Sequence, residues 1–121
     1  MPPTRILLTD MPPFQREIVT ELLRGVADVE VVSSDVSPES AGREAARTRA
    51  KVVIAGRDDP HFVRALLEAL PRMVVLTLAG RELTAWRHGL SPYRERLGEL
   101  SPAALTAGIR ARGPQPSWWT D

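Results

Sequence analysis

Lys51-Val52-Val53-Ile54-Ala55-Gly56 decides how the chain folds. Four consecutive apolar residues bounded by a lysine and a glycine leave no polar face. Such a strand must be covered on both sides, which is the situation of a strand inside a parallel sheet. Working outward, Asp59-Pro60 is a cap followed by a first-turn proline, and Phe62, Val63, Leu66, Leu67 and Leu70 share one helical face, ended near Pro71. Met73-Val74-Val75-Leu76-Thr77-Leu78 is the next strand. On the N-terminal side, Ser37-Pro38-Glu39 opens an alanine-rich, weakly apolar helix to about Arg49, expected to pack lightly.

The N-terminal third repeats the rhythm. Ile6-Leu7-Leu8-Thr9 is a short buried strand ending at Asp10. Pro12 and Pro13 precede a stripe of Phe14, Ile18 and Leu22, with Val19 and Leu23 one step round, and Gly25 is the expected stop. Val29-Glu30-Val31-Val32-Ser33 is the second strand. Three βα units followed by a strand, joined by short connections, predict an α/β three-layer sandwich. The expected parallel sheet has the flavodoxin-like order 2-1-3-4, with ligands or chemistry at the C-terminal ends of strands one and three. Asp10, Gly56 and Thr77 all fall at that edge.

The last third departs from this pattern. Residues 79–100 carry no convincing amphipathic helix; residues 81–88 and 93–97 flank Gly89-Leu90-Ser91-Pro92 and are expected to form two short strands about that turn. Ser101-Pro102 then caps a final helix through Ala104, Leu105, Gly108 and Ile109. The expected division is one domain over residues 1–112 and an extended or disordered tail over 113–121.

Composition narrows the function. The 121 residues suit one domain, and a formal net charge of +1 gives no bulk attraction to nucleic acid or to an anionic membrane. Arginine outnumbers lysine 15 to one, which is read as coding bias ahead of phosphate recognition. With no cysteine there are no disulfides, thiolate metal sites or cysteine nucleophiles. His61 and His88 are too far apart for a helical zinc motif, and neither a GxGxxG, a P-loop nor a GxSxG is present. No apolar run approaches the ~20 residues of a membrane span, and the N-terminus lacks signal-peptide organisation. The expectation is a cytoplasmic, non-enzymatic protein with no catalytic residues, no metal and no cofactor.

From residue 5 to residue 110 the chain resembles the receiver domains of bacterial response regulators. Arg5-Ile6-Leu7-Leu8-Thr9-Asp10 is similar to the first receiver strand, Val74-Val75-Leu76-Thr77 to the fourth with its switch threonine, and Ser101-Pro102-Ala103-Ala104-Leu105 through Ile109-Arg110 to the last helix. The resemblance implies that the C-terminal β-hairpin replaces the receiver's fourth helix. It also implies a phosphorylation site, and that site is degenerate. Met11 takes the place of the second acidic residue, Gly56 that of the phosphoacceptor aspartate, and the lysine position falls near Gly98 or Glu99. A hard cation needs carboxylate oxygens, and phosphoryl transfer needs the charge neutralisation they organise.

A slipped register would offer Asp58 in Arg57-Asp58-Asp59 as acceptor; the competing reading is that Asp59 caps the next helix and Asp58 is solvated. Asp10 with Asp58 could form a carboxylate pair, though capping at strand ends accounts for both. The leading expectation is a non-phosphorylatable receiver-like (pseudo-receiver) module of bacterial signal transduction that binds a protein partner or forms a homodimer. Trp86, Tyr93, Trp118 and Trp119 are its interface candidates, since aromatics and arginine anchor interfaces. Against that, Trp86 could equally fill a core gap under the hairpin. The alternative is a small-molecule or nucleotide sensor whose crevice is lined by Asp10, Met11, Gly56, Arg57 and Thr77.

Overall fold

The computed structural model describes residues 2–80, 83–89 and 94–110. Tyr93, Trp118, Trp119 and the tail over 113–121 lie outside them. The described chain runs β1 (Thr4–Thr9), α1 (Pro13–Leu23), β2 (Val29–Val36), a 3₁₀ turn (Pro38–Ser40) leading into α2 (Ala41–Thr48), β3 (Val52–Ala55), α3 (Pro60–Ala69), β4 (Val74–Ala79), β5 (Thr84–His88), β6 (Arg94–Glu99) and α4 (Pro102–Arg110).

The strands form one sheet in the order β2-β1-β3-β4-β5-β6. β1 pairs parallel with β2 and β3, and β3 parallel with β4. The expected 2-1-3-4 arrangement is therefore present but is only part of the sheet. β5 turns back antiparallel on β4, and β6 antiparallel on β5. Only residues 80–83 separate β4 from β5, too few for the dozen or more that a parallel crossover needs, so reversal was the available geometry.

Side-chain alternation along the central strands divides the core in two. Ile6, Leu8, Ile54, Leu76 and Leu78 face Val19 and Leu23 of α1 and Leu105 and Ile109 of α4. Leu7, Val53 and Val75 face Ala41 and Ala45 of α2 and Val63, Leu66 and Leu67 of α3. All four residues of β3 are buried, as its unbroken apolar run requires. α2 meets the sheet through two fully buried alanines, so a narrow helix face suffices.

Caps follow the sequence in α3 and α4 but not in α2. The Asp59 carboxylate accepts from the backbone N–H groups of His61 and Phe62, and Ser101 Oγ accepts from Ala104 N at 3.0 Å. Ser37 makes no such cap; its hydroxyl donates to Ser40 Oγ, and the α-helix begins only at Ala41. The second strand runs three residues beyond Ser33, to Val36.

The inner face of α1 also differs from the expected stripe. Gln15, Val19 and Leu23 are buried, whereas Phe14 is 75% exposed. Gln15 turns inward because its amide has a partner at the end of β3. That partner belongs to the candidate site.

Candidate functional site

At the C-terminal edge, Thr9 pairs with Ala55, so Asp10 and Gly56 leave the sheet side by side. Gly56 N donates to Thr9 O at 3.0 Å, and Gln15 Nε2 donates to Gly56 O at 3.3 Å. A Cβ at Gly56 would stand 2.5 Å from the Asp10 carbonyl oxygen and 2.7 Å from both Gln15 Oε1 and Met11 Cγ. The first of these is backbone and cannot rotate away. Gly56 is thus a close-approach glycine: the β1–α1 loop folds over the end of β3 and fills the space a side chain would take.

Asp10 itself has φ of +55°, a left-handed conformation that aspartate tolerates better than most residues. Its Oδ1 accepts from Arg57 Nη2 at 3.1 Å. On the β2 side of this pair a cleft of about 580 Å³ is lined by Asp10, Met11, Gln15, Asp35, Ser37 and Arg57, among others. Asp35, at its rim, pairs with Arg16 Nη1 at 2.9 Å. The cleft thus lies at the ends of strands one and three, as expected, and extends towards the end of β2. Met11 and Gln15 pack against Gly56, and the open volume reaches across the ends of β2, β1 and β3. Asp10, Met11, Gly56 and Arg57 line it; Thr77 does not.

Thr77 belongs to a second constellation on the α3 side of the sheet. Antiparallel pairing of β4 with β5 sets Val75 opposite His88 and Thr77 opposite Trp86, all on one face. β6 adds Arg94 opposite His88 and Arg96 opposite Trp86. Asp58, just past β3, closes the group. Thr77 Oγ1 donates to Asp58 Oδ1 at 3.1 Å and lies 2.7 Å from His88 Nε2. Arg94 Nη1 donates to Asp58 Oδ2 at 2.8 Å, and its guanidinium carbon sits 3.9 Å from the centre of the Trp86 ring.

The hydroxyl of Thr77 has one proton to give. With that proton directed to Asp58, its oxygen is left to accept from His88 Nε2–H, so the neutral ring carries its hydrogen on Nε2. Burial lowers the His88 pKa from its ordinary value; the Asp58 charge opposes this and Arg94 adds to it. His88 is only 8% exposed, so desolvation is the expected leading cause.

Asp58 is consequently not the solvated residue expected from the sequence. Both of its oxygens are engaged by side chains from β4 and β6. Asp10 and Asp58 do not make a pair either: one faces Arg57, the other Arg94. Trp86 is partly buried and stacked under a cation, a position between the two readings offered for it. Gln15, Asp35, His88 and Arg94 were missed as site residues. The two-residue spacing of Trp86 and His88 signals a shared strand face, but which residues lie opposite depends on hairpin register.

Among the described residues no group of three or more histidine, aspartate or glutamate side chains is placed to hold a metal ion, and no helix is long and apolar enough to cross a membrane. No family model matches the chain, and no curated protein matches its sequence.

Proposed function

We propose that this domain is a receiver-like, flavodoxin-like scaffold without phosphoacceptor function, working as a protein–protein interaction or regulatory module in bacterial signalling. The observation that carries this reading is the packing at Gly56. The position matching the acceptor has no room for a Cβ, and the carboxylate of Asp10, whose backbone adjoins it, already pairs with Arg57. A cationic side chain on that carboxylate opposes a divalent cation at the same oxygens. What remains useful is surface. On the α3 side, β5 and β6 present Trp86, Arg94 and Arg96, residue types that anchor interfaces.

The edge strand argues for a face rather than an edge as the contact. β6 carries Arg94, Glu95, Arg96 and Glu99, has one extra residue, Leu97, inserted between Arg96 and Gly98, and holds Gly98 at φ +97°. Charges and bulges are the devices that blunt strand-to-strand association.

The test is incubation with Mg²⁺ and beryllofluoride, or with acetyl phosphate, read by amide NMR and intact mass. Unmodified protein and unmoved Asp10 and Asp58 resonances are the expected result. Stoichiometric phosphorylation, or a Mg²⁺-dependent shift centred on Asp10, defeats the proposal. Light scattering of the wild type against Trp86→Ala tests a homodimer built on the same face.

A second reading has its own observation, the polar cleft beside Asp10 and Arg57. A small-molecule or nucleotide sensor would bind there. A thermal-shift screen that finds a stabilising nucleotide, with the shift abolished by Arg57→Ala, would place the ligand reading first.

A further inference from the structure

We propose that Asp58, Thr77, His88 and Arg94 form a proton-responsive clasp that governs how firmly the His88 end of β5 and the Arg94 end of β6, with the Arg94–Trp86 stack, are held in the sheet. As regulation of the docking face the clasp rests on the function proposed above; as a structural device it stands on its own geometry.

Four separate segments meet in it. Asp58 comes from the β3–α3 connection, Thr77 from β4, His88 from β5 and Arg94 from β6. His88 and Arg94 are the register pair at the distal end of the hairpin. His88 is also the last β5 residue paired with β4, opposite Val75, so motion there opens the end of both ladders and leaves the pairs from Arg87 to Thr84 in place. Hydrogen bonds from Thr77 and Arg94 meet on one carboxylate, so Asp58 is the knot.

Among the described residues the charged groups facing His88 are Asp58 and Arg94; β4 contributes the neutral Thr77. A proton added to His88 has a poor home. The imidazolium lies 3.4 Å from Asp58 Oδ1 but must share that carboxylate with the Arg94 guanidinium, and it is nearly cut off from water. Burial outweighs the help from Asp58, as the direction of the pKa shift indicates. The cation is relieved when His88 swings towards solvent. That movement takes away the hydrogen bond to Thr77 and withdraws the strand end opposite Arg94. Arg94 then keeps its carboxylate but loses the fixed position over Trp86. Acid therefore loosens the aromatic–cation face, and neutral pH fastens it.

Amide hydrogen exchange of the full chain, corrected for intrinsic chemical rates, reads the clasp with no partner present. Failure of the clasp and failure of the docking reading are thus distinguishable. Amides of Trp86 to His88 and Arg94 to Arg96 are expected to exchange through an opening easier than that of β1 and β3. Their protection should fall as pH drops below ~6.5, by no more than about tenfold per pH unit because one proton is involved. His88→Gln, which cannot charge, should remove that dependence. Asp58→Asn should lower protection at every pH by untying Arg94. In the wild type, NMR titration of the His88 ring should give a midpoint below the ordinary histidine range. The proposal fails if the hairpin amides share the protection of β1 and β3 throughout, if the acid loss persists undiminished in His88→Gln, or if the wild-type ring titrates at or above the ordinary range. The last measurement decides the matter even where a variant does not fold.

Discussion

Gly56 carries one meaning in the sequence and a different one in the folded chain. From the sequence it is the absence of a carboxylate. In the folded chain it is the only residue type that fits, since a Cβ there would lie 2.5 Å from a backbone oxygen. Gly56→Ala is therefore expected to destabilise the domain by ~1–3 kcal/mol, the usual range for overpacking a tight site. Urea denaturation at neutral pH, comparing midpoints at equal slope, checks this. Gly56→Asp should be worse, because a charge joins the clash beside Asp10, and under the proposed function it should not make the domain a phosphoacceptor. The glycine could be picked out in advance from its place after an apolar strand. That its space is filled by Met11 and Gln15 could not, because they come from the β1–α1 connection and the first turn of α1, more than 40 residues away in sequence.

At the scale of elements, the boundaries most visible in the sequence were those with local chemical causes. Asp59 and Ser101 cap the helices they precede because a short oxygen-bearing side chain reaches the first free N–H groups without tertiary help. Ser37 has the same chemistry and fails, since a 3₁₀ turn intervenes and its hydroxyl finds Ser40 first. α2 ends less economically. Arg49 closes it at φ +58° and ψ +36°, a left-handed cap normally given to glycine. Arg49→Gly should stabilise the protein by up to ~1 kcal/mol, measured as a rise in denaturation midpoint with unchanged slope. A fall would mean that the arginine side chain contributes more than its backbone conformation costs. α1 illustrates the opposite limit. Periodicity placed Phe14 on its inner stripe, but a hydrogen bond to Gly56 O turns Gln15 inward, and the aromatic ring is left in solvent.

At the scale of the whole molecule, the sheet joins a parallel half to an antiparallel half, and Asp58, Thr77, His88 and Arg94 sit on the seam. This arrangement gives stability a pH dependence whose sign can be worked out. The His88 pKa is lowered in the folded state relative to its ordinary 6.5, so between the two values the unfolded chain binds more protons. Stability from this group is complete above ~6.5 and is lost as pH falls through that value towards the folded one. Denaturation midpoints should accordingly drop on acidification through this window, and the drop should be smaller in His88→Gln. An equal drop in both would assign it to the carboxylates. The parallel core was legible from the sequence alone, because unbroken apolar runs separated by capped helices admit few other packings. Strand propensity and the turn residues also disclosed β5 and β6. What only the tertiary structure decided was register and approach: which side chain stands opposite Thr77, that Asp58 is tied to β4 and β6 rather than solvated, and that a loop closes over Gly56. The physical reason is range. Caps, turns and hydrophobic periodicity act over a few residues and are written locally, whereas the clasp and the filled site depend on contacts between segments far apart in the chain, made only once the sheet has assembled.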